Sequence, residues 1–220
     1  GMFDARDGAY SPRDGYLEPA REVRVIRRND WKAEDVMLRL AFDLGMTGGG
    51  RRAKISAKNA LRAMLGRRPV YPYLSSGLFE SRREDLRVVL DNRVYWQDYH
   101  DVLSDMKRSD ILLENQWGDF PDGGTFNLLG LEAMSLGVVP FNAMIRRNAE
   151  RFAEWLGADA PPPFPNWEDT ADYRNRSKAY LDALVFDAAF RSRKKSEGRS
   201  YVEKWLSCER VIPRLARQLE

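Results

Sequence analysis

From Val23 onward, short apolar runs trade places with longer stretches in which apolar residues return every three or four positions. The first kind predicts strands and the second predicts helices. VRVI (23–26) reads as a short strand and VMLRLAF (36–42) as a buried one. GMTGGG (45–50) marks a turn, and ISAKNALRAML (55–65) after it combines helical spacing with strong helix formers. VYPYLSS (70–76) reads as a strand in which Pro72 favours an edge or an end. FESRREDLRVVL (79–90) reads as a helix, NRVYWQ (92–97) as a strand, HDVLSDMKRS (100–109) as a helix and ILLEN (111–115) as a strand. NLLGLEAMSL (127–136) is a helix stopped by Gly137, VVPF (138–141) a strand, and IRRNAERFAEWLG (145–157) a helix closed by Gly157. A proline-stiffened connector, APPPFPNW (160–167), leads to helical stretches over 174–193 and 200–219, where Pro213 is expected to kink or restart the last one.

Strands alternating with helices in units of this size predict an α/β fold. The expected form is a doubly wound, Rossmann-like parallel sheet with helices on both faces and a helical C-terminal tail. Residues 1–34 read as an irregular arm holding a short strand, and 35–220 as the domain itself. Sheets of this type bind ligands beyond the carboxyl ends of their strands. Four loops qualify on the predicted elements: 43–54, 74–79, 96–101 and 115–127.

Composition narrows the function only a little. Charged residues make up 31% of the 220, both signs are mixed, and the formal net charge of +3 permits an anionic partner without requiring one. Cys208 is the single cysteine, which excludes an internal disulfide and fits a reducing compartment. No apolar run approaches the roughly 18 residues of a membrane span, so a cytoplasmic protein is expected, a reading compatible with peripheral membrane association. One histidine and one cysteine leave no basis for a metal cluster, and none is expected.

TGGGRRAK (47–54) is the strongest local signal. Glycines let a backbone approach a ligand closely, and a helix N-terminus offers free N–H groups. Arg51, Arg52, Lys54 and Lys58 add full charges, and from Leu44 to Phe79 there are seven Arg/Lys side chains and no acid. Such a turn suits a diphosphate; the alternative is an ordinary flexible turn beside a solvated basic helix. Gly48-Gly49-Gly50-Arg51-Arg52-Ala53 also matches a dinucleotide fingerprint, but the acid expected about 20 residues later is missing. An NADP-type oxidoreductase using Arg51 or Arg52 therefore stays as an alternative, and so does a nucleic-acid-binding module built on 51–68.

GLEAMSLGVVP (130–140) resembles the donor-binding segment of GT-B glycosyltransferases, in which a glycine-containing loop precedes a helix with E-A-[ML]-[AS]-x-G and then a Val/Pro-rich strand. VMLRLAFDLGMTGGGRRAKISAKNALRAML, NRVYWQDYHDVLSDMKRSDILLENQW and LDALVFDAAFRSRKKSEGRSYVEKWLS are similar to the segments of that fold before and after it, so the likeness covers roughly 35–220. It implies the C-terminal, nucleotide-sugar-binding half of a hexosyltransferase, using a UDP- or GDP-sugar as substrate and no cofactor. Nucleic acid is not an expected partner, whereas a separate acceptor domain is, because such enzymes react in a cleft between two halves. The resemblance implies that Glu132 accepts hydrogen bonds from the donor ribose, and that Gly124, Thr125, Phe126 and Asn127 offer N–H groups to the phosphates. Arg51 and Lys54 become the phosphate-binding pair assisting the leaving group, with Gly49, Gly50, Arg52 and Lys58 around them, and Trp96 and Gln97 lie where the base sits. The chain departs from the family at Gly124, where retaining members carry a second glutamate; Asp122 or Asp119 is the candidate replacement. His100 and Asp101 read as helix-start residues, and Trp117 and Phe120 as pocket or core aromatics.

Overall fold

A computed structural model describes residues 2–3, 10–11, 21–27, 35–47, 49–67, 69–71, 77–83, 85–92, 98–113, 128–142, 144–163 and 165–219. A short two-stranded ladder, β1 (Met2–Phe3) with β2 (Tyr10–Ser11), stands apart from the main sheet. The main sheet has five strands in the order β4 (Leu78–Arg83), β5 (Leu86–Asp91), β3 (Arg21–Arg27), β6 (Ile111–Leu113) and β7 (Val139–Phe141). All pairs are parallel except β4 with β5. The strand read within the N-terminal arm is thus the middle of the sheet.

Helices cover both faces, as expected of a Rossmann-like α/β fold. On one face, Val23, Val25, Val88, Leu90, Ile111 and Phe141 pack against α1 (Asp35–Asp43) and α6 (Thr170–Phe186). On the other, Ile26 and Leu112 meet Met106 of α3 (Tyr99–Lys107) and Ala133 of α4 (Leu128–Ser135). The period-2 alternation of a strand sends neighbours to opposite faces, which is why Val25 and Ile26 belong to different cores. α5 (Arg146–Leu156) buries Ala149, Ala153 and Leu156 and ends at Gly157, whose φ of 64° is the left-handed conformation a helix C-cap requires.

Three predicted elements are corrected. VMLRLAF is not a strand but helix α1: Met37, Leu40, Ala41 and Leu44 fall at i, i+3, i+4 and i+7 and are buried together, while Arg39 faces out. FESRREDLRVVL is not a helix but the β4–β5 hairpin, whose last pair is Arg83 with Leu86. There Arg87 sits between Glu80 (Nη2 to Oε1, 2.6 Å) and Glu22 (Nη1 to Oε2, 2.8 Å), tying three strands side by side. Of the strand read at 92–97, Asn92 lies just past the end of β5 and 93–97 lie outside the described residues. Val70 and Tyr71 form no strand; both backbone groups of Val70 are taken by the Asn59 side chain at 2.8 and 2.9 Å, and 72–76 lie outside the described residues.

The C-terminal tail is three helices rather than two stretches. Asp187 ends α6 and caps α7 (Ala188–Trp205), its carboxylate accepting from Phe190 N, and Arg191 donates to the last carbonyls of α6, Leu184 O and Val185 O, at 2.8 and 2.9 Å. α7 then runs along the start of β6, where Asp110 accepts from Lys195 Nζ at 2.5 Å and from Arg24 N at 2.8 Å. It passes on to α4, with Gly198 so close that a Cβ there would lie 3.2 Å from Met134 Cγ. The last break falls at Leu206–Ser207, and Pro213 lies inside α8 (Cys208–Leu219). The connector 160–167 is anchored by Trp167, which is 2% exposed, meets Phe141, Tyr173 and Tyr180 edge to face and donates from Nε1 to Asn142 O at 3.0 Å.

Candidate functional site

In a parallel sheet the two edges differ chemically. The carboxyl rim gathers strand ends and the N-termini of the following helices, whose free N–H groups and partial positive charge attract anions. The order of the sheet reverses direction beside β3: the chain goes from β3 to β5 on one side and returns to β6 on the other. The crevice of this fold therefore opens beyond Arg27 and Leu113.

Arg27 closes β3 and is only 8% exposed; its Nη1 donates to Asn92 Oδ1 at 2.9 Å. Asp91 and Asn92, at the end of β5, are each 1% exposed. A buried guanidinium beside two buried polar side chains is costly unless mutually satisfied, so the rim here is rigid as well as polar. None of these three was marked by the sequence reading; the only available signal was a charged or amide residue closing an otherwise apolar strand.

Glu132 lies on α4, partly buried, on the face shared with α3. Its Oε1 accepts a hydrogen bond from the Tyr99 hydroxyl, while Oε2 is buried with no hydrogen-bond partner among the described residues. Tyr99 opens α3 immediately past the carboxyl rim, and the hydrogen bond to the carboxylate, with some loss of solvation, raises its phenol above the ordinary tyrosine value. The cap of α3 is Asp98, whose Oδ1 accepts from His100 N at 2.9 Å, rather than Asp101 or His100. The His100 ring is exposed, 6.1 Å from that of Tyr99.

The basic glycine turn is elsewhere. Because 36–42 form a helix that leaves the carboxyl rim after β3, the turn that follows lies at the amino edge. Asp43 O accepts from Arg83, which pairs with Leu86 at the start of β5, itself paired with Arg21 at the start of β3. Ser81 Oγ donates to Leu44 O at 2.6 Å. Gly49 and Gly50 open α2 (Gly49–Met64), and Arg51, Arg52, Lys54 and Lys58 are exposed along it. Arg52 lies over the Phe42 ring, 5.7 Å from its centroid, and its Nη2 reaches Asp43 O at 3.4 Å, so it closes the C-terminus of α1.

The structure thus does not bring Arg51, Arg52, Lys54 and Lys58, with Gly49 and Gly50, together with Glu132. The first group is at the amino edge beyond α1, which covers one face; Glu132 is on the opposite face and near the other edge. A diphosphate cannot bridge the thickness of the sheet, so their predicted pairing is withdrawn. Trp96, Gln97, Trp117, Asp119, Phe120, Asp122, Gly124, Thr125, Phe126 and Asn127 lie outside the described residues.

A cavity of about 400 Å³ is also at the amino edge, lined by Leu40, Asp43, Leu44, Arg52, Arg83, Lys178, Asp182 and Phe186. Lys178 bridges Asp43 at 3.2 Å and Asp182, so both lining acids are paired with one lysine. Among the described residues no cluster of His, Cys, Asp and Glu could hold a metal ion, and no helix is long and apolar enough to cross a membrane. Comparison with protein-family models, curated proteins and solved structures gave no match to this chain.

Proposed function

We propose that this chain is the donor-binding half of a GT-B-type glycosyltransferase, holding a nucleotide diphosphate sugar along the carboxyl rim with its ribose at Glu132. A carboxylate with one oxygen engaged and the other unpartnered is an acceptor in want of a donor, and vicinal ribose hydroxyls supply two. That single observation carries the proposal. It is supported by the switch in strand order beside β3 and by the approach of the α4 N-terminus to the same rim, a geometry that favours phosphate. Arg27 replaces the Arg51–Lys54 pair as the fixed cation near the leaving group, acting through electrostatic stabilisation rather than proton transfer. Sugar transfer on this reading calls for an acceptor-binding half besides the residues 35–220.

Titration calorimetry with UDP, GDP, a UDP-hexose, a GDP-hexose and NADPH tests it. One of the uridine or guanosine ligands is expected to bind, and Glu132→Ala to weaken that binding about ten- to a hundredfold, the range for hydrogen bonds to a charged group. Circular dichroism of Glu132→Ala should match the parent chain. Tight binding of NADPH alone, or an affinity indifferent to Glu132→Ala, ends the proposal.

A further inference from the structure

Helix α2 is amphipathic and has no buried residue. Its inner line is Ile55, Asn59 and Arg62, each half-buried, with Asn59 gripping the backbone of Val70. On its outer side Ala53, Ala57, Ala60, Leu61 and Met64 recur at helical spacing and are exposed, and Leu65 extends the stripe past the helix end. Leu61 is 58%, Met64 85% and Leu65 60% exposed. Successive residues turn by about 100°, which places Arg51, Lys54 and Lys58 along one border of that stripe.

The charge around this stripe is segregated. Seven of the 36 basic residues and none of the 33 acids fall between Leu44 and Phe79, so the remainder of the chain, with 29 basic and 33 acidic residues, has a net charge of −4. The chain's mild overall excess of positive charge is therefore concentrated on this helix and its flanks. A convex helix with an apolar stripe, a cationic border and no acid has the composition of an interfacial helix.

We infer that α2 docks the protein on an anionic lipid bilayer, with Leu61, Met64 and Leu65 entering the acyl boundary and Arg51, Lys54 and Lys58 at the headgroups. Other occupants fit less well. A second copy would set one acid-free cationic helix against another, an acidic peptide would need a groove that a convex helix lacks, and nucleic acid would have no use for the apolar side chains. The inference is independent of the nucleotide-sugar proposal, since α2 takes no part in the carboxyl rim.

Flotation of the full chain with vesicles of phosphatidylcholine alone, and of phosphatidylcholine with phosphatidylglycerol, provides the test, with a duplex oligonucleotide as competitor. Binding to the anionic vesicles should exceed binding to neutral ones at least about tenfold and fall with added salt. Leu61→Glu with Met64→Glu should reduce it to the neutral-vesicle level, and Lys54→Gln or Lys58→Gln should each weaken it about fivefold. All four positions are exposed, and circular dichroism should report an unchanged fold. Equal binding to both vesicle types, retention by the double glutamate variant, or capture by the duplex in preference to the vesicles overturns the inference. Nucleotide titration of the same variants separates this result from the fate of Glu132.

Discussion

The two edges of the sheet use charge in opposite ways. At the carboxyl rim the charged and polar groups are few and recessed: Arg27, Asp91 and Asn92 are nearly inaccessible, and Glu132 is half covered. At the amino edge they are many and outward, with Arg51, Lys54 and Lys58 exposed and the half-buried exceptions, Lys178 and Asp110, engaged in ion pairs that fasten α6 to α1 and α7 to the start of β6. A recessed group has its geometry fixed by packing and can recognise a small ligand; exposed ones recognise a surface, through sign and density rather than direction. The difference teaches that the number of cations in a segment says less about a ligand site than their depth.

The comparison breaks most visibly in stability. Trp167 supports the carboxyl rim from below, so Trp167→Ala should cost about 3–5 kcal/mol in urea denaturation, since it empties a large core site and removes the donor to Asn142 O. Met64→Ala on α2 should change stability by no more than about 0.5 kcal/mol, as expected for an exposed position. Next in size is ligand affinity. The ten- to hundredfold loss expected for Glu132→Ala should have no counterpart in Arg51→Ala or Lys54→Ala, which should leave nucleotide binding within about twofold while weakening vesicle binding. A nucleotide site that fails with Lys54→Ala would rejoin the two edges and undo the distinction.

The smallest effect concerns the helices that join the edges. Tyr180 on α6 and Tyr201 on α7 have buried hydroxyls with no hydrogen-bond partner among the described residues. Burial is the main cause that raises both phenols, Tyr201 to about 12 and Tyr180 further. A phenol with a folded value above its unfolded value of about 10 contributes stability that is whole below pH 10 and is lost as pH climbs through the folded value. Tyr180→Phe and Tyr201→Phe should therefore each raise stability by about 1 kcal/mol at neutral pH by removing an unsatisfied group, and should flatten the decline above pH 10 in alkaline denaturation curves.

How much of this the sequence disclosed turned on one heptad-length segment. Strands β3, β6 and β7, helices α3, α4 and α5, and the stop at Gly137 follow from patterns that stand well clear of their alternatives. VMLRLAF does not. Six of its seven residues are apolar, and a run that dense has no readable period; only Leu44, two residues beyond it, completes the helical spacing. Loops after strands open on the carboxyl rim and loops after helices on the amino edge, so taking α1 for a strand carried TGGGRRAK to the wrong side of the molecule. FESRREDLRVVL misled for another reason. Its Glu and Arg side chains are good helix formers, and the strand that docks the hairpin into the sheet, β3 with Glu22, is distant in sequence. Glu132 was legible through its surroundings, but Tyr99, 33 residues earlier, had no local mark. Nor had Arg27, whose place at the reversal in strand order exists only once the sheet is assembled.

Asp110 joins points far apart along the chain: it accepts from Arg24, 86 residues before it, and from Lys195, 85 residues after it. The first strand of the sheet cannot complete its amino end until the β6 segment has been synthesised, and that corner is not locked until α7 follows. Contacts of such separation are late events in folding. A nascent chain stalled before Ala188 holds all five strands of the sheet but lacks Lys195, so the corner around Asp110 should exchange its amide hydrogens faster there than in the full chain.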